Sequence, residues 1–538
     1  MGSAPEHNYD ALVVGTGFGG LYSLYLLKQL GLSVRGLETA SDVGGTWFWN
    51  RYPGARSDIH SHVYRYSWDK ELLQTSPWPN NYLHQPEVLA YFQEVARKHA
   101  LYPLIQFNTE LTGADWDEER NVWRAKASSG ETFVVRYLVT AVGILHHKNV
   151  PQFSGLDEFK GKVVHSSAWD SDIEWEGKRV AVIGSGASGI QIVSKLSEKA
   201  QTLTHFIRHA QYVIPSRFRA VSAEERKRIN EQYEKIWHDV FLSNTAFGFV
   251  EPGRPTLSLA PEDRETVFED LWKEGNGFRF LFAGFSDLAT DEGGNKAAID
   301  FIHRKIKETV KDPQKAEVLT SSDWFARRPL TDDHYYERFN QGNVFAVDVK
   351  KTPIRKITVE GIQTDDGTLH PVDLIVLATG FDAVDGSYTR LDLKGRDGIS
   401  IKAHWEAEGP KSHIGASTSK FPNLFFVNGP GAVFANNPPV AEEGARFARD
   451  IIARAEEVRT KEGGVGVVEN SVEAENKWQA TIEQVAQATL FSKTPSWFFG
   501  ENIPGKQVAP RFFFGGLGRF RAAIAEEKAG GYKGFQFR

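Results

Sequence analysis

Two glycine triplets, one acid and a cluster of arginines are the residues of this chain whose types and spacing point to chemistry. Gly15-Thr-Gly17-Phe18-Gly-Gly20 and Gly184-Ser185-Gly186-Ala-Ser188-Gly189 both read G-x-G-x-x-G. Glycine at those spacings permits a tight turn, close approach of the backbone to a pyrophosphate, and tight packing of the helix that follows. Taken alone, either triplet could serve packing only. The strands that come next separate the two. "VRGLE" ends in Glu38, where an acid accepts from ribose hydroxyls, whereas "LTHFIR" ends in Arg208, a residue suited to a 2′-phosphate. That contrast assigns FAD to the first site and NADPH to the second. Hydride transfer from NADPH to flavin follows, and the eventual electron acceptor is the open question.

Each triplet must be held by a strand that breaks into a helix. "DALVVG" (Asp10 to Gly15) and "RVAVIG" (Arg179 to Gly184) are short apolar runs, each followed by a helical pattern. Between about Ser222 and Thr320 charged helical text replaces strand text, and strands return at "NVFAVDV", "IRKITVEGIQTDDG" and "VDLIVLATG". The expected fold is α/β, with two Rossmann-like dinucleotide-binding domains, the second interrupted by a helical insertion. "NLFFVNGPG" is expected to return to the first domain, and the text after it reads as helical, then aromatic and glycine-rich from Trp497 to Phe520. The boundaries expected are 1–145 and 384–538 for the FAD-binding domain, 150–221 and 325–383 for the NADP-binding domain, and 222–324 for the insertion.

Composition narrows the partners. The chain has 538 residues, a formal net charge of −6 and interspersed charges, with no basic stripe for nucleic acid or lipid, so a small-molecule partner is expected. There is no long apolar run and no signal-peptide pattern, and a cytoplasmic enzyme fits. No His/Asp/Glu cluster has metal-ligand spacing. With no cysteine there is no redox-active thiol pair, and the only methionine is Met1. That lack of oxidisable sulfur fits either engineering or lineage bias.

A longer motif is more specific. Phe159-Lys-Gly161-Lys-Val-Val-His165-Ser-Ser-Ala-Trp169-Asp170 resembles the Baeyer–Villiger monooxygenase fingerprint F-x-G-x-x-x-H-x-x-x-W at every fixed position. Gly44-Gly-Thr46-Trp47 through Tyr52-Pro-Gly54 to Asp58 is similar to the family's other motif, and "YSWDKELLQ" resembles the cyclohexanone monooxygenase branch. The likeness runs from about Tyr9 to Phe520. Departures are Ser57 and Val384, where relatives often carry cysteine and methionine, and His209, which replaces the usual small hydroxyl residue.

The resemblance implies an FAD- and NADPH-dependent oxidation of ketones, cyclic ones foremost, to esters or lactones through a C4a-peroxyflavin and a Criegee intermediate. Sulfoxidation is implied as a side activity, and no obligatory protein partner is evident. It further implies that Arg328 is the catalytic cation and Asp58 the carboxylate that orients it. Phe18, Thr46, Trp47, Asp58 and Tyr64 resemble flavin contacts, while Arg56, Ser185, Ser188, His209, Arg327 and Trp497 resemble NADP contacts. Without the family pattern "RR" at 327–328 reads as an exposed basic pair, Asp58 as a turn residue and Trp497 as a packed loop aromatic. His165 and Trp169 are read as coupling domain movement, on a linker entering the NADPH domain, and not as catalytic groups. The competing readings are an N- or S-oxidising flavin monooxygenase, whose fingerprint usually ends in tyrosine or phenylalanine where Trp169 stands, and a redox-inactive nucleotide-binding protein.

Overall fold

Apolar β-branched runs build two largely parallel sheets, and each glycine triplet leaves the C-terminal end of a central strand. The computed structural model describes residues 5–406 and 409–538. The first sheet is eight-stranded, in the order Asp392–Lys394, Leu111–Asp117, Val122–Ala127, Thr132–Thr140, Glu6–Val14, Val34–Leu37, Ile105–Gln106, with Leu424–Phe426 paired parallel to Thr132–Thr140. Its first strand begins four residues before the expected Asp10, because Glu6 already pairs with Thr132. Parallel pairing with a strand more than a hundred residues away is a tertiary contact that no local pattern announces.

The second sheet is five-stranded and wholly parallel, in the order Val344–Asp348, Thr202–Ile207, Arg179–Ile183, Leu374–Leu377, Lys162–His165. Its edge strand Lys162–His165 holds the middle of the fingerprint, which is therefore part of the sheet and not a linker. Both faces of such a sheet are covered, hence its near-continuous apolar text. "IRKITVEGIQTDDG" does not extend this sheet. It forms the first two strands, Ile354–Thr358 and Gly361–Thr364, of a separate antiparallel ribbon that Leu369–Pro371 completes.

From Ala223 to Leu319 the regular elements are helical, among them Ala223–Glu231, Gly277–Phe282 and Glu292–Thr309. Ser222, Asn276 and Asp291 accept from the first free amides of these three helices, which is why each starts where it does. The C-terminal region departs from expectation in two places. Phe520 lies inside the helix Leu517–Ala529, and Val468–Asn470 pairs antiparallel with Phe535–Phe537. The cores of the two sheets are not independent: Tyr52 and Ala55 of the first unit are buried in the second unit's cluster with Val182, Ile190 and Phe268.

Candidate active site between two nucleotide cradles

The two glycine turns are built alike. Gly15 and Gly184 have φ of +93° and +108°, and a Cβ on either would press on the carbonyl of Ala141 or Ala378 in the neighbouring strand's exit. Gly20 and Gly189 pack their helices onto the turn, since a Cβ on either would overlap the carbonyl oxygen of Gly15 or Gly184. Gly17 and Gly186 cap the helices Phe18–Gln29 and Ala187–Leu196 with no side-chain hydrogen bond. Those first-turn N–H groups are left to face an anion, and the helix dipole adds to the attraction. A Cβ at Gly186 would meet nothing within 4 Å, so that turn opens on free space. Both turns therefore fit a dinucleotide pyrophosphate.

Glu38 is buried behind the first turn. Its carboxylate accepts from the Thr16 amide (2.9 Å) and hydroxyl (2.8 Å), the Ala40 amide (2.8 Å) and the Thr39 hydroxyl (3.1 Å). It is locked in one orientation. Arg208, one residue past the strand Thr202–Ile207, is exposed and makes no hydrogen bond or ion pair among the described residues. Next to it His209 and Arg327 share Asp323. Arg327 donates to Asp323 (2.7 Å) and to the Pro495 carbonyl (2.9 Å); His209 Nδ1, 3.2 Å from the Arg327 guanidinium, donates to Asp323 at 3.1 Å. The hydrogen bond from His209, with the Arg327 charge, holds the Asp323 carboxyl far below the usual carboxylate range.

Both turns open into one cleft of about 1020 Å³. Its lining includes Gly15, Gly17, Phe18, Glu38, Thr46, Trp47, Arg56, Asp58, Tyr64, Gly184, Ser185, Gly186, Ser188, Arg208, His209, Arg327, Arg328 and Trp497. Gly20 and Gly189 stand behind it. Phe159, Gly161, His165, Trp169 and Asp170 do not line it. His165 is buried, with Nδ1 2.9 Å from the Ser167 hydroxyl and Nε2 3.0 Å from the Gly380 carbonyl, and burial lowers its pKa to about 4. Trp169 is packed in the second core, and Asp170 is exposed.

At the centre, Arg328 Nη2 lies 2.7 Å from Asp58 Oδ2, and its guanidinium sits 5.3 Å from the centroid of the Phe278 ring. Asp58 is 8% exposed. A cation there is shielded from bulk water on two sides, by a carboxylate and by an aromatic face. Nearby, Trp47 Nε1 donates to the Tyr64 hydroxyl at 3.0 Å, and burial raises the Tyr64 pKa. Arg56 donates to Ser216 (3.0 Å) and lies 4.8 Å from the Phe218 ring. Trp497 packs on Phe498 and Phe512 while still facing the cleft.

Sequence reasoning missed the residues that close the site. Phe247, 4.2 Å from Phe278 between ring centroids, and Phe434 form an aromatic wall of the cleft. Gln191 joins the two units. It accepts from the Tyr52 hydroxyl (2.9 Å) and donates to the Arg56 carbonyl (3.1 Å). The Tyr52-Pro-Gly turn was visible in sequence, but its partner sits one turn into a distant helix and carries no motif. Among the described residues no group of three or more His, Cys, Asp or Glu side chains could hold a metal ion, and no helix is long and apolar enough to cross a membrane.

Two dinucleotide cradles sharing one cleft with a shielded arginine–carboxylate pair define an oxidoreductase of the two-nucleotide flavoprotein class. Residues 10–221 match the family model described as FMO-like, flavin-binding monooxygenase-like. The chain belongs to the Baeyer–Villiger monooxygenases of this group. A Baeyer–Villiger monooxygenase from Pseudooceanicola batsensis is 45% identical over 529 residues, covering 98% of this chain and 95% of that one. A phenazine N-monooxygenase from Lysobacter antibioticus is 44% identical, covering 98% and 97%. The closed crystal structure of a cyclohexanone monooxygenase matches with a TM-score of 0.97 and 44% identity over 99% of both chains.

Proposed function

We propose that this chain uses NADPH and dioxygen to insert one oxygen atom beside the carbonyl carbon of ketones, cyclic ketones foremost, giving esters or lactones, with sulfoxidation as a side activity. The carrying observation is the 2.7 Å Arg328–Asp58 pair in the cleft onto which both glycine turns open. In this reading Gly15, Gly17, Phe18, Glu38, Thr46, Trp47 and Tyr64 hold FAD. Gly184, Ser185, Gly186, Ser188, Arg208 and His209 hold NADPH, with Arg56, Arg327 and Trp497 on its nicotinamide side. Residues 1–145 and 384–538 then serve the flavin, 150–221 and 325–383 the nicotinamide nucleotide, and 222–324 supply wall residues such as Phe278. The fingerprint residues Phe159, Gly161, His165, Trp169 and Asp170 stay outside the chemistry and couple domain movement, with His165 tied to the Gly380 carbonyl.

The bound flavin supplies the activation of dioxygen. The protein supplies the field around it. A guanidinium offers donors only, so the N–H groups of Arg328 can stabilise negative charge that develops on the reacting oxygens, and Asp58 fixes the direction in which they point. Phe247 and Phe278 keep water off that charge, which strengthens the interaction.

The test is a panel of cyclic and linear ketones with NADPH in air, with products identified by gas chromatography. Ester or lactone formation is expected; NADPH consumption with no ester from any ketone overturns the reading. The phenazine N-monooxygenase relative, at 44% identity, favours a second reading, oxidation at an aromatic nitrogen. Phenazine in the same panel separates the two.

A further inference from the structure

Asn276 adopts φ +78° and ψ +119°, a backbone state that residues with side chains rarely take, and it is 4% exposed. Its side chain is fully used. Oδ1 accepts from the Phe278 amide at 2.9 Å and the Arg279 amide at 3.1 Å, closing the start of the helix Gly277–Phe282. Nδ2 points the other way and donates to the Asp58 carbonyl at 2.8 Å and to the Tyr82 hydroxyl at 3.1 Å. These partners leave only one orientation of the amide. The following residue, Gly277, donates its amide to the Thr331 hydroxyl at 2.8 Å, and a Cβ there would press on the Leu330 carbonyl.

One buried side chain thus reaches two pieces of the central site, and the backbone amide of the next residue reaches the third. It grips the backbone of Asp58, whose carboxylate holds Arg328. It caps the helix whose Phe278 ring lies against the Arg328 guanidinium. Its neighbour is anchored three residues beyond Arg328 itself. A helix cap alone does not require asparagine. Aspartate or serine caps as well, and glycine takes a positive φ without strain. What asparagine adds is the donor aimed at the Asp58 carbonyl.

We propose that Asn276 is a positioning residue for oxygen insertion, setting the place of the Arg328–Asp58 pair through the Asp58 backbone on one side and the Phe278 ring on the other. The inference rests on the function proposed above. Tyr82, buried and with its pKa pushed up to about 12, stays a neutral hydroxyl partner in this arrangement.

Two variants of the FAD-loaded enzyme test it. Asn276→Asp keeps the cap acceptor and turns the donor towards Asp58 into an acceptor; Asn276→Gly keeps the backbone state and removes both functions. In both, ketone oxygenation is expected to fall about ten- to a hundredfold, the loss that a displacement of about 1 Å produces. The electrons of NADPH then appear as hydrogen peroxide (NADPH + H⁺ + O₂ → NADP⁺ + H₂O₂), while anaerobic flavin reduction keeps the parental rate. Rescue by Asn276→Asp would overturn the proposal and leave Asn276 a helix cap. Thermal melting of the holoenzyme gives an arm that needs no turnover. Asn276→Asp and Arg328→Ala together should lower Tm by less than the sum of their separate effects, because both act on one network. Full additivity overturns the proposal, even if the parent makes no ester and the functional reading has failed by itself.

Discussion

Arg328 and Arg208 differ in what already holds them, and that difference sets what each can do. Arg328 is paired with Asp58 and lies against Phe278, so its donors are fixed in direction before any substrate arrives. Arg328→Ala should leave FAD bound and reducible, while ester formation falls about 10²–10³-fold and NADPH electrons appear as peroxide. Stopped-flow reduction followed by product analysis in air measures both halves. Arg328→Lys should recover little, because an ammonium does not reproduce the planar fork. Arg208 has no partner among the described residues, so its guanidinium is available to a phosphate. Arg208→Ala is expected to raise the KM for NADPH roughly ten- to a hundredfold, equivalent to about 1.5–3 kcal/mol, and to spare NADH, as kcat/KM for the two coenzymes will show. Arg327→Ala should act differently. Arg327 is engaged by Asp323 and Pro495, so its loss is expected to disturb the loop that carries Trp497 besides any contact with the coenzyme.

At the scale of elements, the turn between strand and helix is the unit that makes each nucleotide site. The third glycine of each triplet never touches the cleft, yet it sets how closely the helix N-terminus approaches the turn. In Gly189→Ala the new methyl would overlap the Gly184 carbonyl, which is backbone and cannot rotate away. Overpacking of this kind costs about 1–3 kcal/mol, and here it displaces the helix whose first N–H groups have no side-chain cap and, in the proposed reading, face the phosphate. The expected variant keeps its flavin, seen in its absorption spectrum, but binds NADP⁺ about tenfold or more weakly by calorimetry. Loss of flavin with intact NADP⁺ binding would reverse the assignment of the two turns. This much was legible in sequence, since glycine spacing and strand text are local. The partner of the Tyr52 turn was not: Gln191 lies in another unit, and nothing in its own neighbourhood marks it.

At the scale of the whole molecule, burial of neutral histidines makes stability depend on acid. Burial lowers the pKa of His165 and of His205 to about 4, against which a hydrogen bond to a backbone carbonyl acts only partly. His205 lies within hydrogen-bonding distance of both the Gly184 carbonyl (3.0 Å) and the Tyr335 hydroxyl (3.2 Å), inside the second nucleotide unit. The unfolded chain binds these protons near pH 6.5 and the folded chain only near pH 4, so the stability is present above about 6.5 and is lost as pH falls towards 4. Each fully buried group contributes on the order of 3 kcal/mol over that window. Holoenzyme Tm should therefore drop steeply between pH 6.5 and 4, and a flat profile there would show that these rings do not titrate as buried groups.

The glycine triplets, Glu38 against Arg208, and the fingerprint stand in the sequence because each depends on a local requirement: a turn, a strand end, a fixed spacing. They were enough for the two-nucleotide α/β class, the cofactors and the family. What the tertiary structure alone decided is how distant segments meet. Glu6 extends the first strand because Thr132 pairs with it, and the fingerprint becomes a sheet edge because Leu374–Leu377 lies beside it. Asp58, Asn276 and Arg328 come from three separate stretches of chain and converge on one ion pair. Such convergence is set by packing and by the pairing of buried polar groups across long separations, and neither leaves a period or a spacing in the sequence to read.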